Sequence, residues 1–116
     1  MRVITLNLNG IRSAASKGAF KWLQTQDADV ICMQETKAQE EQLAEHPVEL
    51  PGYHRYFYDA EKKGYAGVAI YSKRRPDAVQ RGFGVAEFDR EGRYLEARFG
   101  ALSVVSLYLP SGSAGP

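Results

Sequence analysis

The sequence Val-Ile-Cys-Met-Gln-Glu at residues 30–35 decides the fold. An unbroken run of four apolar residues is typical of a strand buried on both faces, as in a parallel sheet. The alternating, β-branched pattern of residues 2–8 predicts an earlier strand. Apolar residues at helical spacing over residues 16–26 predict a helix between the two. A strand–helix–strand unit makes its strands parallel, joined by a right-handed crossover.

Polar residues follow both predicted strands at their carboxyl ends. Asn7 and Asn9 end the first strand, and Glu35 ends the second. Parallel strands end at the same edge of a sheet, which is where open α/β sheets bind ligands. One carboxylate with neutral amide oxygens is an environment for a hard cation such as Mg²⁺. In the alternative interpretation, Glu35 caps a following helix or faces solvent.

The remainder of the chain predicts one further helix and then mainly strands. The helix is expected over residues 38–45. Turn residues separate five strand-like segments in a pattern that indicates antiparallel hairpins. These segments are residues 53–58, 67–72, 78–82, 94–99 and 102–109. We therefore expect an α/β (α+β) fold in one domain over residues 1–116, with a mixed central sheet and flanking helices.

Composition excludes several classes of protein. The chain has 116 residues, of which 44% are hydrophobic and 25% charged, and no apolar run is long enough to span a bilayer. Its single cysteine, Cys32, excludes an internal disulfide framework, and we expect a buried thiol in a protein of the reducing cytoplasm. The net charge is −3 over residues 1–61 and +4 over residues 62–116. The basic second half indicates a polyanionic partner or, alternatively, a solvated surface.

Three further side chains are candidates for phosphate or nucleic-acid contact. Tyr108 ends the last predicted strand, and Arg12 follows the turn at Asn9 and Gly10. Tyr65 lies on a glycine-rich hairpin beside two lysines, a combination that suits nucleic-acid binding. Each of the three also has an ordinary structural interpretation: a tyrosine at a sheet end, a surface arginine and a plain turn.

Five segments follow one another in a characteristic order. They are TLNLNGIR (residues 5–12), DVICMQETK (29–37), GYAGVAIYS (64–72), FDREGR (88–93) and SLYLP (106–110). Together they resemble the N-terminal part of the exodeoxyribonuclease III family of apurinic/apyrimidinic (AP) endonucleases, within the endonuclease/exonuclease/phosphatase superfamily. The resemblance extends over essentially all 116 residues.

The resemblance implies a four-layered α/β sandwich and Mg²⁺- or Mn²⁺-dependent hydrolysis of DNA phosphodiesters. The substrate would be double-stranded DNA with abasic sites or 3′ ends, in a bacterial cytoplasm. Glu35 matches the family's metal-binding glutamate, and Asn7 matches the asparagine that supports the metal. Tyr108 matches the tyrosine that contacts the scissile phosphate. Arg12, Asn9 and Tyr65 match positions on loops that bind DNA.

The chain also departs from the family pattern, since it has about half the family's length. It contains neither a Gly-Asp-x-Asn nor a Ser-Asp-His segment, which in the family activate water and stabilise the phosphate. We therefore expect the N-terminal half of such an enzyme, inactive alone, without the family's second sheet, and self-associating through an uncovered apolar sheet face. Two alternatives stay open: a superfamily phosphatase with a non-DNA substrate, and a non-catalytic binding module.

Overall fold

Two β-sheets lie against each other in the structure, a computed structural model that describes residues 1–44 and 46–109. The first sheet has four strands in the order β1-β2-β4-β3, and the second has three in the order β5-β6-β7. The strands are β1 (Val3–Asn7), β2 (Val30–Gln34), β3 (His54–Tyr58), β4 (Val68–Ser72), β5 (Ala78–Arg81), β6 (Tyr94–Phe99) and β7 (Leu102–Leu107). The helices are α1 (Ile11–Ser16), α2 (Ala19–Gln24) and α3 (Ala86–Asp89), with a 3₁₀ turn at Glu40–Leu43.

The first sheet is mixed, as the sequence predicts. Strands β1 and β2 are parallel, with Asn7 opposite Gln34 at their carboxyl ends. Strand β4 runs antiparallel to both β2 and β3. The second sheet is an antiparallel meander. The α/β fold class with a mixed sheet and flanking helices is thus confirmed.

The two faces of β2 are buried in different ways, which explains its unbroken apolar run. Ile31 and Met33 belong to a core that includes side chains of α1 and α2. Val30 and Cys32 face the other way and pack with β6 residues such as Leu95. Burial raises the pKa of the Cys32 thiol to about 11, so this side chain behaves as a small apolar residue.

The second sheet corrects one expectation. The N-terminal half of a sandwich fold is predicted to lack the second sheet, which would leave one face of the first sheet uncovered. In the structure, β5–β7 form a second sheet that covers much of this face. Leu95 and Ala97 on β6 are fully buried against Val68 and Ile70 on β4. The prediction is wrong because the meander at residues 78–107 has enough apolar positions on one face to close this core.

The helical segments also differ from the prediction. The helix predicted over residues 16–26 is present but shorter, as α2 at Ala19–Gln24. Gly18, left-handed at φ 91°, separates it from α1 at Ile11–Ser16, which the sequence did not predict. Over residues 38–44 the structure has a 3₁₀ turn at Glu40–Leu43 in place of the predicted helix, and Leu43 is the buried residue of that turn. Glu45 lies outside the described residues. Helix α3 has no buried residue and no periodic pattern that would predict it. No helix in the described ranges is long and apolar enough to cross a membrane.

Candidate active site

The carboxyl ends of β1 and β2 stay joined beyond the last strand residues. The backbone amide of Leu8 donates to the carbonyl of Gln34 at 2.9 Å, and that of Gly10 donates to the carbonyl of Glu35 at 2.8 Å. The loop with Asn9 therefore lies directly beside the loop with Glu35. This confirms the predicted juxtaposition of the asparagine and glutamate segments at one sheet edge.

The backbone at this edge is strained. Four non-glycine residues here have left-handed φ values: Asn9 (47°), Glu35 (54°), Lys37 (53°) and Ala66 (41°). Asparagine adopts this conformation readily, whereas for the other three residues it costs of order 1–2 kcal/mol each. The strain is held by cross-loop hydrogen bonds, such as the Lys37 amide to the Ala66 carbonyl at 2.8 Å. Strained conformations persist only where the surrounding structure over-determines them, and they are common at functional sites.

A polar network connects the side chains of this edge. The Lys37 ammonium donates to Asn9 Oδ1 at 2.6 Å and lies 3.9 Å from Glu35 Oε1. Asn7 Oδ1 accepts the backbone amide of Asn9 at 2.9 Å. Among the described residues, no direct hydrogen bond joins Asn7 to Glu35. Asn7 thus shapes the loop of Asn9, and Lys37 links that loop to the carboxylate.

The second sheet brings Tyr108 to Glu35. Ser106 on β7 is completely buried, donates to the Met33 carbonyl at 3.0 Å and accepts from Gln34 Nε2 at 3.1 Å. These bonds fix the end of β7 over the end of β2. Burial raises the pKa of the Tyr108 hydroxyl, and the adjacent Glu35 carboxylate raises it further, against the opposing effect of Arg93. Tyr108 is therefore a protonated hydrogen-bond donor at neutral pH.

A cleft of about 520 Å³ opens between these residues and the loop before β4. Its charged lining side chains are four cations and two anions: Lys37, Lys62, Arg90, Arg93, Glu35 and Glu91. Tyr65 and Tyr108 line it as well. A cleft with excess positive charge attracts anions, and its two phenol rings suit sugar or base contact.

The predicted DNA-contact residues do not all lie in this cleft. Tyr65 does, with 56% of its surface exposed and the Lys62 ammonium 4.2 Å from its ring centre. Arg12 is the second residue of α1, where its guanidinium approaches the Lys37 carbonyl at 3.5 Å. Arg12 and Asn9 lie on the α1 side of the sheet edge rather than among the cleft residues.

The oxygen donors present fit a hard divalent cation. Glu35 is a carboxylate with a side chain 20% exposed, and Asn7, at the end of the adjacent strand, carries a neutral amide oxygen. Mg²⁺ uses one or two carboxylates and takes its remaining ligands from water and phosphate. Over the described ranges, no group of three or more His, Cys, Asp or Glu side chains is positioned for a metal. An ion held by these donors would take most of its ligands from water and phosphate.

Sequence reasoning did not single out Lys37, Arg90, Glu91 or Arg93 as site residues. All four lie within the five quoted segments, so the order of those segments is a signal that could have found them. Their meeting at Tyr108 depends on the loops at residues 59–67 and 90–93, which join through the Glu61 amide and the Arg90 carbonyl at 2.8 Å.

Comparisons with known proteins agree with this architecture. The profile of the "Endonuclease/Exonuclease/phosphatase family" matches residues 4–116. The chain is 41% identical over 116 residues to the "Exodeoxyribonuclease" of Bacillus subtilis, covering 99% of this chain and 45% of the relative. It is 37% identical over 117 residues to the "DNA repair nuclease APEX1" of Danio rerio, covering 99% of this chain and 38% of the relative.

A solved structure gives the same result. The "AP Endonuclease from Archaeoglobus fulgidus" superposes with a TM-score of 0.75 at 32% identity, covering 95% of this chain and 41% of that one. The chain thus spans less than half the length of the relatives it matches.

Proposed function

Because the chain belongs to the endonuclease/exonuclease/phosphatase family, we propose that it is the N-terminal part of a DNA-repair nuclease of the exodeoxyribonuclease III type. The substrate is double-stranded DNA, hydrolysed at abasic sites and from 3′ ends. The observation that carries this proposal is the cleft in which Glu35 and Tyr108 meet a basic lining. Two relatives, named as an exodeoxyribonuclease and a DNA repair nuclease, support the choice of substrate.

The chain's own residues bind and orient the substrate. The family depends on a divalent metal, and in this proposal Glu35 and Asn7 would hold Mg²⁺ or Mn²⁺. When bound, the ion polarises a phosphate oxygen and stabilises the charge of the leaving oxygen. Tyr108 donates its hydroxyl proton in a hydrogen bond to the phosphate, and its raised pKa keeps that proton in place. Tyr65, Arg12 and Asn9 contact DNA around the reacting phosphate.

Residues 1–116 alone do not complete the reaction. They contain no Gly-Asp pair, and neither histidine follows an aspartate. The family's water-activating aspartate and phosphate-stabilising histidine are thus not supplied by these residues. General-base and electrostatic contributions of this kind are each worth at least about 100-fold in rate. In this proposal the activity belongs to a longer protein in a bacterial cytoplasm, a reducing compartment that suits the lone buried cysteine.

Incision of a duplex with one abasic site tests this function. The protein from the complete reading frame should cut with Mg²⁺, and Glu35→Gln and Tyr108→Phe should each lower kcat by about 100-fold or more. Glu61→Gln is the matched control, because it removes an exposed carboxylate that does not line the cleft. Equal activity of Glu35→Gln and Glu61→Gln would refute the assignment. Incision by residues 1–116 alone would refute their proposed inactivity.

The isolated chain also self-associates in this proposal. The contact is the outer edge of β7, which pairs with no further strand among residues 1–44 and 46–109. Leu102, Val105 and Leu107 on this strand are 38–46% exposed. An exposed apolar edge strand is a template for pairing with a second copy.

A further inference from the structure

An ion pair in the cleft is only half satisfied. Arg93 and Glu91 are two residues apart, with Gly92 turning the chain between them at φ 59°. The Glu91 carboxylate pairs with Nη2 of Arg93, whose side chain is 19% exposed while that of Glu91 is 49% exposed. Both side chains line the cleft that holds Glu35 and Tyr108.

The donor next to this contact has no partner within the part of the chain that the structure describes. Nε of Arg93 is buried, and among the described residues it makes no hydrogen bond. Nε–H and Nη2–H form one edge of the guanidinium, and that edge matches two oxygens of a phosphate or a carboxylate. Glu91 satisfies only one of the two donors, and leaving a buried donor unsatisfied costs about 1–3 kcal/mol. The edge is therefore suited to an oxyanion that can use both.

Arg93 is otherwise held in place for such a ligand. Its guanidinium carbon lies 5.3 Å from the centre of the Phe88 ring, and its backbone carbonyl accepts the Tyr108 amide at 2.9 Å. These contacts keep the guanidinium beside Tyr108 whether or not Glu91 is bound. Glu91 is the more exposed partner of the pair, so it is the one that can leave at small cost.

We propose that Arg93 binds a phosphate of the ligand through its Nε and Nη2 donors, and that Glu91 is an exchangeable counterion that the phosphate displaces. The proposal rests on the function inferred above, in which the ligand is a DNA phosphodiester. Glu91 fills the position in the free protein and neutralises a cation in a basic cleft. It also disfavours weak anions, because only a ligand that satisfies both donors outcompetes it.

DNA binding in EDTA tests this exchange without metal or catalysis. Fluorescence anisotropy with a labelled abasic-site duplex measures the Kd of the full chain and its variants. Glu91→Gln should tighten binding about 3- to 10-fold more than Glu87→Gln, which removes an equal charge outside the cleft. Arg93→Gln should weaken binding about 10-fold more than Arg98→Gln, the matched loss of an exposed arginine.

The double variant separates exchange from simple repulsion. Glu91→Gln should give no gain in a chain that already carries Arg93→Gln, because Glu91 acts through Arg93. A gain that persists in the double variant, or equal effects of Glu91→Gln and Glu87→Gln, would overturn the proposal. If Arg93→Gln fails to fold, Arg93→Lys replaces it: lysine keeps the charge but not the two-donor edge, so the gain from Glu91→Gln should still shrink.

A second probe distinguishes failure of this site from failure of the proposed function. In the ¹⁵N-labelled chain, inorganic phosphate should shift the Arg93 Nε–Hε NMR signal, at lower concentration in Glu91→Gln than in the unsubstituted chain. A phosphate-induced shift without any binding of DNA would support the phosphate site and contradict the proposal that DNA is the substrate. Absence of the shift in Glu91→Gln would refute the site itself.

Discussion

The Lys37 ammonium donates a hydrogen bond to Asn9 Oδ1 at 2.6 Å and lies 3.9 Å from a Glu35 oxygen. One cation thus connects the loop after β1 with the carboxylate after β2. It also competes with any metal ion for the same carboxylate, since both are positively charged. The two effects of Lys37, loop order and charge competition, have opposite consequences for metal binding.

Charge competition should dominate in Lys37→Met. A partly exposed ion pair is worth at most about 1 kcal/mol, so Mn²⁺ binding should tighten by up to about fivefold. Mn²⁺ titration followed by electron paramagnetic resonance measures this, and Lys37→Arg, which keeps the charge, should leave the affinity near its original value. Weaker binding in Lys37→Met would show instead that Lys37 acts mainly by ordering Asn9.

Predictions from the sequence are accurate for the strand β2 and for the sheet edge at its carboxyl end. The apolar run at residues 30–33 is buried on both faces, and the strand order β1-β2 places Asn7 and Glu35 at one edge, as expected. The family resemblance rests on segment order, and the match over residues 4–116 confirms it. These features depend on local periodicity and on chain order, both of which can be followed without coordinates.

Other features depend on long-range contacts that no local pattern contains. The left-handed conformations of Glu35 and Lys37 are imposed by the loop at Ala66 and Gly67 rather than by their own residue types. The pairing of Arg93 with Glu91 likewise requires the turn at Gly92, and that turn is fixed by contacts with a segment distant in sequence. Gly92 is packed there against the backbone of Tyr58. Sequence reasoning therefore found the sheet edge and missed the side of the cleft formed by residues 90–93.

The turn at residue 92 has no room for a side chain, so Gly92→Ala should strongly lower the free energy of unfolding. A Cβ there would lie 2.6 Å from the Tyr58 carbonyl oxygen and 2.7 Å from the Ala60 amide nitrogen. Gly100→Ala is a matched control, because Gly100 has nearly the same φ, 62° against 59°, but no atom within 4 Å of a Cβ. Both variants incur the left-handed penalty, about 1–2 kcal/mol.

The clash adds about 1–3 kcal/mol for Gly92→Ala alone. Urea unfolding of the two variants measures the difference in the free energy of unfolding. Because the turn also aligns Arg93, Gly92→Ala should weaken DNA binding while Gly100→Ala leaves it unchanged. Equal losses of stability in the two variants would contradict the packing argument.

The buried Tyr71 hydroxyl predicts a loss of stability at alkaline pH. Burial raises its pKa to about 12 from 10.0, and the hydroxyl donates to the Val48 carbonyl at 2.8 Å. Between pH 10 and 12 the unfolded chain has lost this proton while the folded chain keeps it. The free energy of unfolding therefore falls as pH rises through that window, by at most about 1.4 kcal/mol per pH unit from this group.

Tyr71→Phe isolates that contribution from other groups that titrate in the same range, Cys32 among them. It should cost about 1 kcal/mol at pH 8 through the lost hydrogen bond. Its free energy of unfolding should then decline less steeply above pH 10 than that of the unsubstituted chain. Urea unfolding at pH 8, 10 and 11 provides the comparison, and parallel pH profiles of the two proteins would refute the assignment.

The outer edge of β7 predicts the oligomeric state of the isolated chain. The sequence predicts association through an uncovered sheet face, but β5–β7 cover much of that face, so the expected contact is the β7 edge.

Light scattering at micromolar concentration should give a dimer or larger species. Val105→Lys should shift it towards monomer, because a charge on an edge strand opposes pairing with a second copy. Ala78→Lys is the matched control on β5, the opposite edge of the same sheet, and should leave the oligomer intact. A monomeric unsubstituted chain, or equal dissociation by both lysines, would show that β7 is not the contact.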